Sequence, residues 1–311
     1  NISRSKISYT KFKDSLTNIK KLNLKDHYEG IAVEVSTADI KVSDFNPLLS
    51  AVGGSGSVKA TIKDDVSNLD SSIDLRGATK VTAVIEAGQG DITSKTLDDQ
   101  VTHIDLNGET TVLSIAHATG RTIGAGTYSF QDTAEKLSKS TSKDLINGKA
   151  VKVNDDDTLN FDKYSKIVTT NGASSISFKK VSDIASTLET NKAVLFKNGV
   201  TVTIGDSPKI DAIKSLKTAA DAAKATLAIP KINDSAANIN ADGISLGFAT
   251  SAAVTQRRFT TRTEVFAGIS KVVFFSGRAL YGSFAASTPP PCNLGSVDEK
   301  AATKAAAASK A

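Results

Sequence analysis

Methionine and tryptophan are absent from this 311-residue chain, cysteine occurs once and histidine three times. A single thiol, Cys292, excludes an internal disulfide, and His27, His103 and His117 show no paired ligand spacing, with one another or with it, of the kind a zinc site needs. Long apolar runs are also missing. The densest late stretch, residues 265–277, carries Lys271 and falls well short of the ~20 residues of a membrane helix, so no membrane span is expected. No G-x-S-x-G elbow and no G-x-x-x-x-G-K-[ST] loop occurs, and the GGSGS run at 53–57 reads as a turn before a strand. The first residue is Asn1, which is read as a processed secreted form or a fragment.

Net charge is +5, and its placement decides its meaning. From Ser251 onward there are eight Lys/Arg against three Asp/Glu, so residues 1–250 carry thirty of each sign. A protein that grips nucleic acid presents a cationic face, and this balanced body argues against one.

What the chain does have is recurrence. FKDSLTNI, IKDDVSNL, FQDTAEKL, VSDIASTL and INDSAANI place Asp14, Asp64, Asp132, Asp183 and Asp234 at intervals of 50, 68, 51 and 51 residues. Each aspartate follows an apolar residue two positions earlier and precedes apolar residues at +2 and +5, which share one helical stripe. The pattern predicts a strand-to-helix corner, with the aspartate capping the helix that follows it. Between the corners, IAVEV (31–35), VKATI (58–62), VTAVI (81–85), THIDL (102–106), AVKV (150–153), SISF (175–178), VTVTI (200–204) and TLAI (226–229) read as half-buried strands. The clearest helix is SPKIDAIKSLKTAADAAKA, with Ser207 as N-cap, Pro208 as first residue and Ile210, Ile213, Leu216 and Ala220 as its buried stripe.

The expected fold is α/β: a repetitive βα solenoid with a mostly parallel sheet, about 25 residues per βα unit and about 50 per double repeat. Three segments are expected. Residues 1–249 form the repeat array, with a hairpin-like insertion near 105–126; 250–288 form a basic, Phe-rich cap or docking segment; and 289–311 form a proline break and an Ala/Lys-rich tail.

DSAANI, with its relatives DTAEKL and DIASTL, resembles the D-[TS]-A-A-N-[IL] repeats of bacterial secreted, surface-layer and adhesin-type proteins. The resemblance is carried mainly by residues 127–243 and more faintly from Tyr9 onward. It implies architecture and export, not a shared reaction, and brings no catalytic residue with it.

Three groups are candidates for chemistry. His103 and Asp105 should share one face of the THIDL strand, where acid–base work or a solvated face are the alternatives. Asp155, Asp156 and Asp157 cluster after a strand and offer oxygen ligands to calcium, although the glycine and glutamate of an EF-hand loop are missing; Asp157 capping the next helix is the alternative. Arg257, Arg258, Phe259, Arg262, Phe266, Phe274, Phe275 and Arg278 fall in one 29-residue stretch and would anchor a partner. No enzymatic activity and no cofactor are expected beyond that calcium. The functional expectation is a structural protein of the bacterial cell surface or an extracellular layer or filament. It would act by self-association or by displaying a face to other protein subunits or a surface glycan. The alternative is an intracellular linker that docks through its basic end, as light-harvesting linkers do.

Overall fold

The computed structural model describes residues 10–21, 30–54, 56–235 and 238, together with the backbone of 252–254, 274–275 and 278–279. The chain divides into two compact units, residues 1–182 with 198–201, and residues 183–197 with 202–311.

In the first unit, β1 (Lys11–Asp14), β2 (Ala32–Val35), β3 (Ser57–Asp65), β4 (Ala78–Val84), β5 (His103–Asp105) and β7 (Thr122–Ile123) form a six-stranded sheet in that order. A four-stranded sheet takes β10 (Ser175–Ser177), β9 (Ala150–Val153), β8 (Thr127–Asp132) and β6 (Thr110–Leu113). Every one of these pairings is parallel, which requires a crossover between partners. Paired residues such as Lys11 with Ala32, Val33 with Val58, Thr82 with His103 and Phe130 with Val151 lie 21 to 25 positions apart. The expectation of an α/β chain with mostly parallel strands therefore holds. The strands are nevertheless distributed over separate sheets. Isolated parallel bridges, Ile40 to Ile62, Asp91 to Val112 and Leu159 to Val181, bring successive coils together again outside the sheets.

A three-stranded sheet takes β11 (Lys180–Asp183), β12 (Thr201–Ile204) and β13 (Thr226–Ala228) in chain order. In the second unit, β14 (Ile232–Asp234) pairs in parallel with β15 (Ala252–Val254), and β16 (Phe274–Phe275) pairs antiparallel with β17 (Arg278–Ala279).

Residues 105–126 are not a hairpin. Asn107 and Gly108, both at positive φ, turn the chain between β5 and β6, the helix Ile115–Ala118 follows, and β7 comes next. Strand β6 pairs in parallel with β8, and β7 with β5. The 68-residue interval thus holds strands that pair in parallel with different partners. Glycine punctuation misled the sequence reading, because a turn between strands bound for different partners has the same composition as a hairpin turn.

The core follows the repeat. Of the residues two before each corner aspartate, Ile62, Phe130, Val181 and Ile232 are buried, as are Val66 with Leu69, Ala134 with Leu137, and Ala185 with Leu188 at +2 and +5. Ala236 and Ile239 lie outside the described residues. Most helices have only four to six residues, too short to persist alone, so their stability comes from packing. The long helix Ile210–Ala223 buries Ile210, Ile213, Leu216 and Ala220 as expected, but it starts two residues after Pro208, with Lys209 extended before it. Coils approach closely at Gly77, where φ is +86° and a Cβ would sit 2.4 Å from the Val58 carbonyl oxygen. On the exposed side of the first sheet, Lys11 and Lys13 both pair with Glu34 and hold its carboxyl down to about 2.

Candidate functional site

The corner aspartates do not cap their own helices in the expected way. At two of the corners the capping side chain belongs to the residue after the aspartate: Ser15 accepts from the Asn18 N–H and Thr133 from the Lys136 N–H. The aspartate reaches elsewhere. One oxygen accepts the N–H of the following residue, as Asp64 does from Asp65, Asp132 from Thr133 and Asp234 from Ser235, at 2.7–2.8 Å. The other accepts the first N–H of the helix one coil earlier. Val42 donates to Asp64 Oδ2 at 2.9 Å, Ile115 to Asp132 Oδ2 at 3.1 Å and Ile210 to Asp234 Oδ2 at 3.0 Å.

The same contact recurs between the corners. Ala134 donates to Asp157 Oδ2 at 2.6 Å, Ala185 to Asp206 Oδ1 at 2.9 Å and Leu16 to Thr37 Oγ1 at 2.9 Å. Each donor is the first residue of its helix, an N–H that no intrahelical carbonyl can serve. In these six cases a side chain 17 to 24 residues later serves it, so a later segment completes an earlier helix. The asparagine of the motif has a role too. Asn18, Asn68 and Asn238 donate side-chain N–H to Oδ1 of Asp14, Asp64 and Asp234 at 2.8–3.0 Å, and in the Asp132 copy Lys136 takes that place as an ion pair at 3.2 Å. Burial pushes the Asp234 carboxyl up, but the Ile210 N–H, the Asn238 amide and the Ser235 N–H together hold it below the usual carboxylate range.

The first unit also carries an open polar cleft of about 760 Å³, lined among others by Lys95, Asp99, Ser114, His117, Arg121 and Asp132. Ser114 Oγ lies 2.8 Å from His117 Nδ1, and His117 Nε2 lies 2.9 Å from the Lys95 carbonyl oxygen, which makes Nε2 the protonated nitrogen and Nδ1 the acceptor. The Ser114 N–H also donates to Nδ1, and Ser114 Oγ accepts the His117 N–H, so the pair closes a capping box at the start of the helix Ile115–Ala118. Arg121 donates to the carbonyls of Val101, Ala116 and Asp98, which commits its guanidinium to the backbone.

His117 is buried, and burial lowers its pKa below the ordinary imidazole value. The neutral ring is the form that accepts at Nδ1. Its contribution to stability is complete above the unfolded value near 6.5 and is lost as pH falls toward the lower folded value. We expect the melting temperature of the chain to fall as pH is lowered from 7 to 5, and the His117→Gln variant to lose part of that dependence, as read by calorimetry in matched buffers.

The sequence candidates fare differently. His103 and Asp105 flank the buried Ile104 in β5; Asp105 is held by Lys63 at 2.9 Å and by the Asn107 N–H, while His103 Nδ1 contacts Thr102 Oγ1 at 2.8 Å. Asp155 pairs with Lys152 and Lys179, whose bonds hold its carboxyl below the usual range. Asp157 bonds the N–H groups of Ala134 and Thr158; the helix Phe161–Ser165 is capped by Asn160, not by Asp157. That leaves only the Asp156 carboxylate of the three without a partner among the described residues, which also contain no cluster of three or more His, Cys, Asp or Glu able to hold a metal ion. Adding 5 mM EDTA is expected to leave the melting temperature unchanged within error. Of the docking candidates, Phe274, Phe275 and Arg278 contribute backbone to the β16–β17 pair, and Arg257, Arg258, Phe259, Arg262 and Phe266 lie outside the described residues. No helix among the described residues is long and apolar enough to cross a membrane.

No protein-family model, curated protein or solved structure matches the chain.

Proposed function

We propose that this chain is a non-enzymatic structural protein, a βα solenoid that assembles with copies of itself or displays a binding face at the exterior of a bacterial cell. One observation carries the reading: buried carboxylates are used to tie each coil to the previous one. Buried ionisable groups at a fixed spacing are costly unless their bonds are complete, and here they are used for joining coils. His117 and Arg121 serve the same end, which favours a scaffold over a hydrolase on the same cleft. The exterior location rests on the likeness of the DSAANI motif to the repeats of exported proteins.

Two measurements test this. Sedimentation velocity over a ~100-fold concentration range should show assembled species, and a monomer throughout would overturn the assembly role. Fractionation of the producing cells should place the chain in the envelope or medium; recovery in a soluble cytosolic complex would favour the linker alternative.

A further inference from the structure

The dipeptide Asn-Gly occurs four times, at Asn107, Asn147, Asn171 and Asn198, and all four copies lie among the described residues. Asparagine before glycine can react with its own backbone. The glycine nitrogen, once it loses its proton, attacks the side-chain carbonyl carbon, and with no Cβ on glycine the approach stays open. The new bond closes a cyclic imide and expels the side-chain nitrogen as ammonia, which carries the proton away. Water then opens the imide at either carbonyl, to aspartate or to isoaspartate. The attack needs a glycine nitrogen free of other bonds, a side chain free to swing over it, and solvent.

The fold treats the four copies unequally. The Gly148 N–H donates to the Gly172 carbonyl at 2.8 Å, which commits the nitrogen behind Asn147. Asn171 is 1% exposed, and its amide nitrogen donates to the carbonyls of Leu137 and Lys139 at 2.9 and 3.0 Å, so the side chain swings only by breaking both bonds. Asn107, at φ +52°, sits in a turn closed by the Glu109 N–H on the Leu106 carbonyl at 2.8 Å, and its own N–H is held by Asp105 Oδ1 at 3.1 Å. Asn198 has none of these restraints. It and Gly199 are exposed, neither makes a hydrogen bond among the described residues, and a Cβ on Gly199 would meet nothing within 4 Å. Gly148, Gly172 and Gly199 all stand just ahead of a strand, β9, β10 and β12, and all have positive φ, so the contrast lies between equivalent positions.

We propose that Asn198 is a self-modification site of the folded chain, converted to aspartate and isoaspartate through attack by the Gly199 nitrogen, while the fold protects the other three. The inference is independent of the assembly role. Either product places a new negative charge ahead of β12. Isoaspartate also adds a methylene to the backbone there, close to the Thr201 N–H that bonds the Lys179 carbonyl at 2.8 Å.

Incubating the full chain in mildly alkaline buffer, folded and in urea, and mapping its peptides by mass spectrometry tests this. In urea all four sites should show the amide-to-acid mass gain at similar rates, because each then presents the same Asn-Gly chemistry. In the folded chain the other three should react at least ~5-fold more slowly than Asn198, the factor that one retained hydrogen bond gives. Asn198→Gln, whose longer side chain closes the ring far less readily, should abolish the gain in the peptide 198–209, where Asn198 is the only side-chain amide. A folded-state ratio below that factor at any of the three would overturn the proposal, as would a mass gain that persists in Asn198→Gln.

Discussion

Replacing Asp132 by alanine is expected to destabilise the chain by about 3 kcal/mol, a fall of roughly 6–12 °C in melting temperature for a unit of this size. Asp132 is 4% exposed, and its two oxygens serve the N–H groups of Ile115 and Thr133. Alanine leaves both donors without their acceptor. A buried unmade hydrogen bond costs roughly 1–3 kcal/mol, far more than the surface ion pair to Lys136 that is lost with it. Asp132→Asn gives the control: it retains an acceptor for one donor, so about half the effect should remain. Urea unfolding at pH 7 measures all three proteins. If Asp132→Ala loses less than ~1 kcal/mol, the carboxylate is an ordinary exposed cap and the coil-to-coil role fails.

Phe130→Ala is expected to cost about 3–5 kcal/mol, the range for a large aromatic deleted from a packed site. Phe130 is 1% exposed, sits opposite Leu113 on one side and Val151 on the other, and meets the Tyr128 ring edge-on at 5.7 Å. Its neighbours come from three successive coils, which limits how far any one of them can relax into the vacated volume. Phe130→Leu should cost about 1–2 kcal/mol, because most of the apolar volume is restored. A loss from Phe130→Ala no greater than that from Phe130→Leu would mean that the site collapses freely. Parallel strands would then not be packing coil on coil.

Sequence reading reached the strands, the corners and the apolar stripes because each rests on local periodicity. Val58–Ile62, Ala150–Val153 and the stripe of the helix Ile210–Ala223 needed no knowledge of a partner. The joints between coils were out of reach for a physical reason: the acceptor on Asp64 and the donor on Val42 are 22 residues apart, and neither position looks unusual by itself. A usable signal existed. Asp132, Asp157, Asp183, Asp206 and Asp234 recur at intervals of 23 to 28, half the double repeat, but the intervening members sit in DDDT and GDSP, outside the DSAANI pattern, and Asp157 was read as a calcium ligand or cap. The start of the helix Ile210–Ala223 was misplaced for a related reason. Ser207-Pro208 is a strong local start signal, whereas the acceptor of the Ile210 N–H comes from Asp234.

Capping from the following coil gives the chain a temporal order. On the ribosome, the helix starting at Ile210 lacks its acceptor until Asp234 has emerged, 24 residues later. At ~5–20 residues per second, that leaves each newly made coil incomplete for about 1–5 s, longer than its strands and short helices take to form. Structure should therefore consolidate from the amino end in steps, always one such bond behind synthesis.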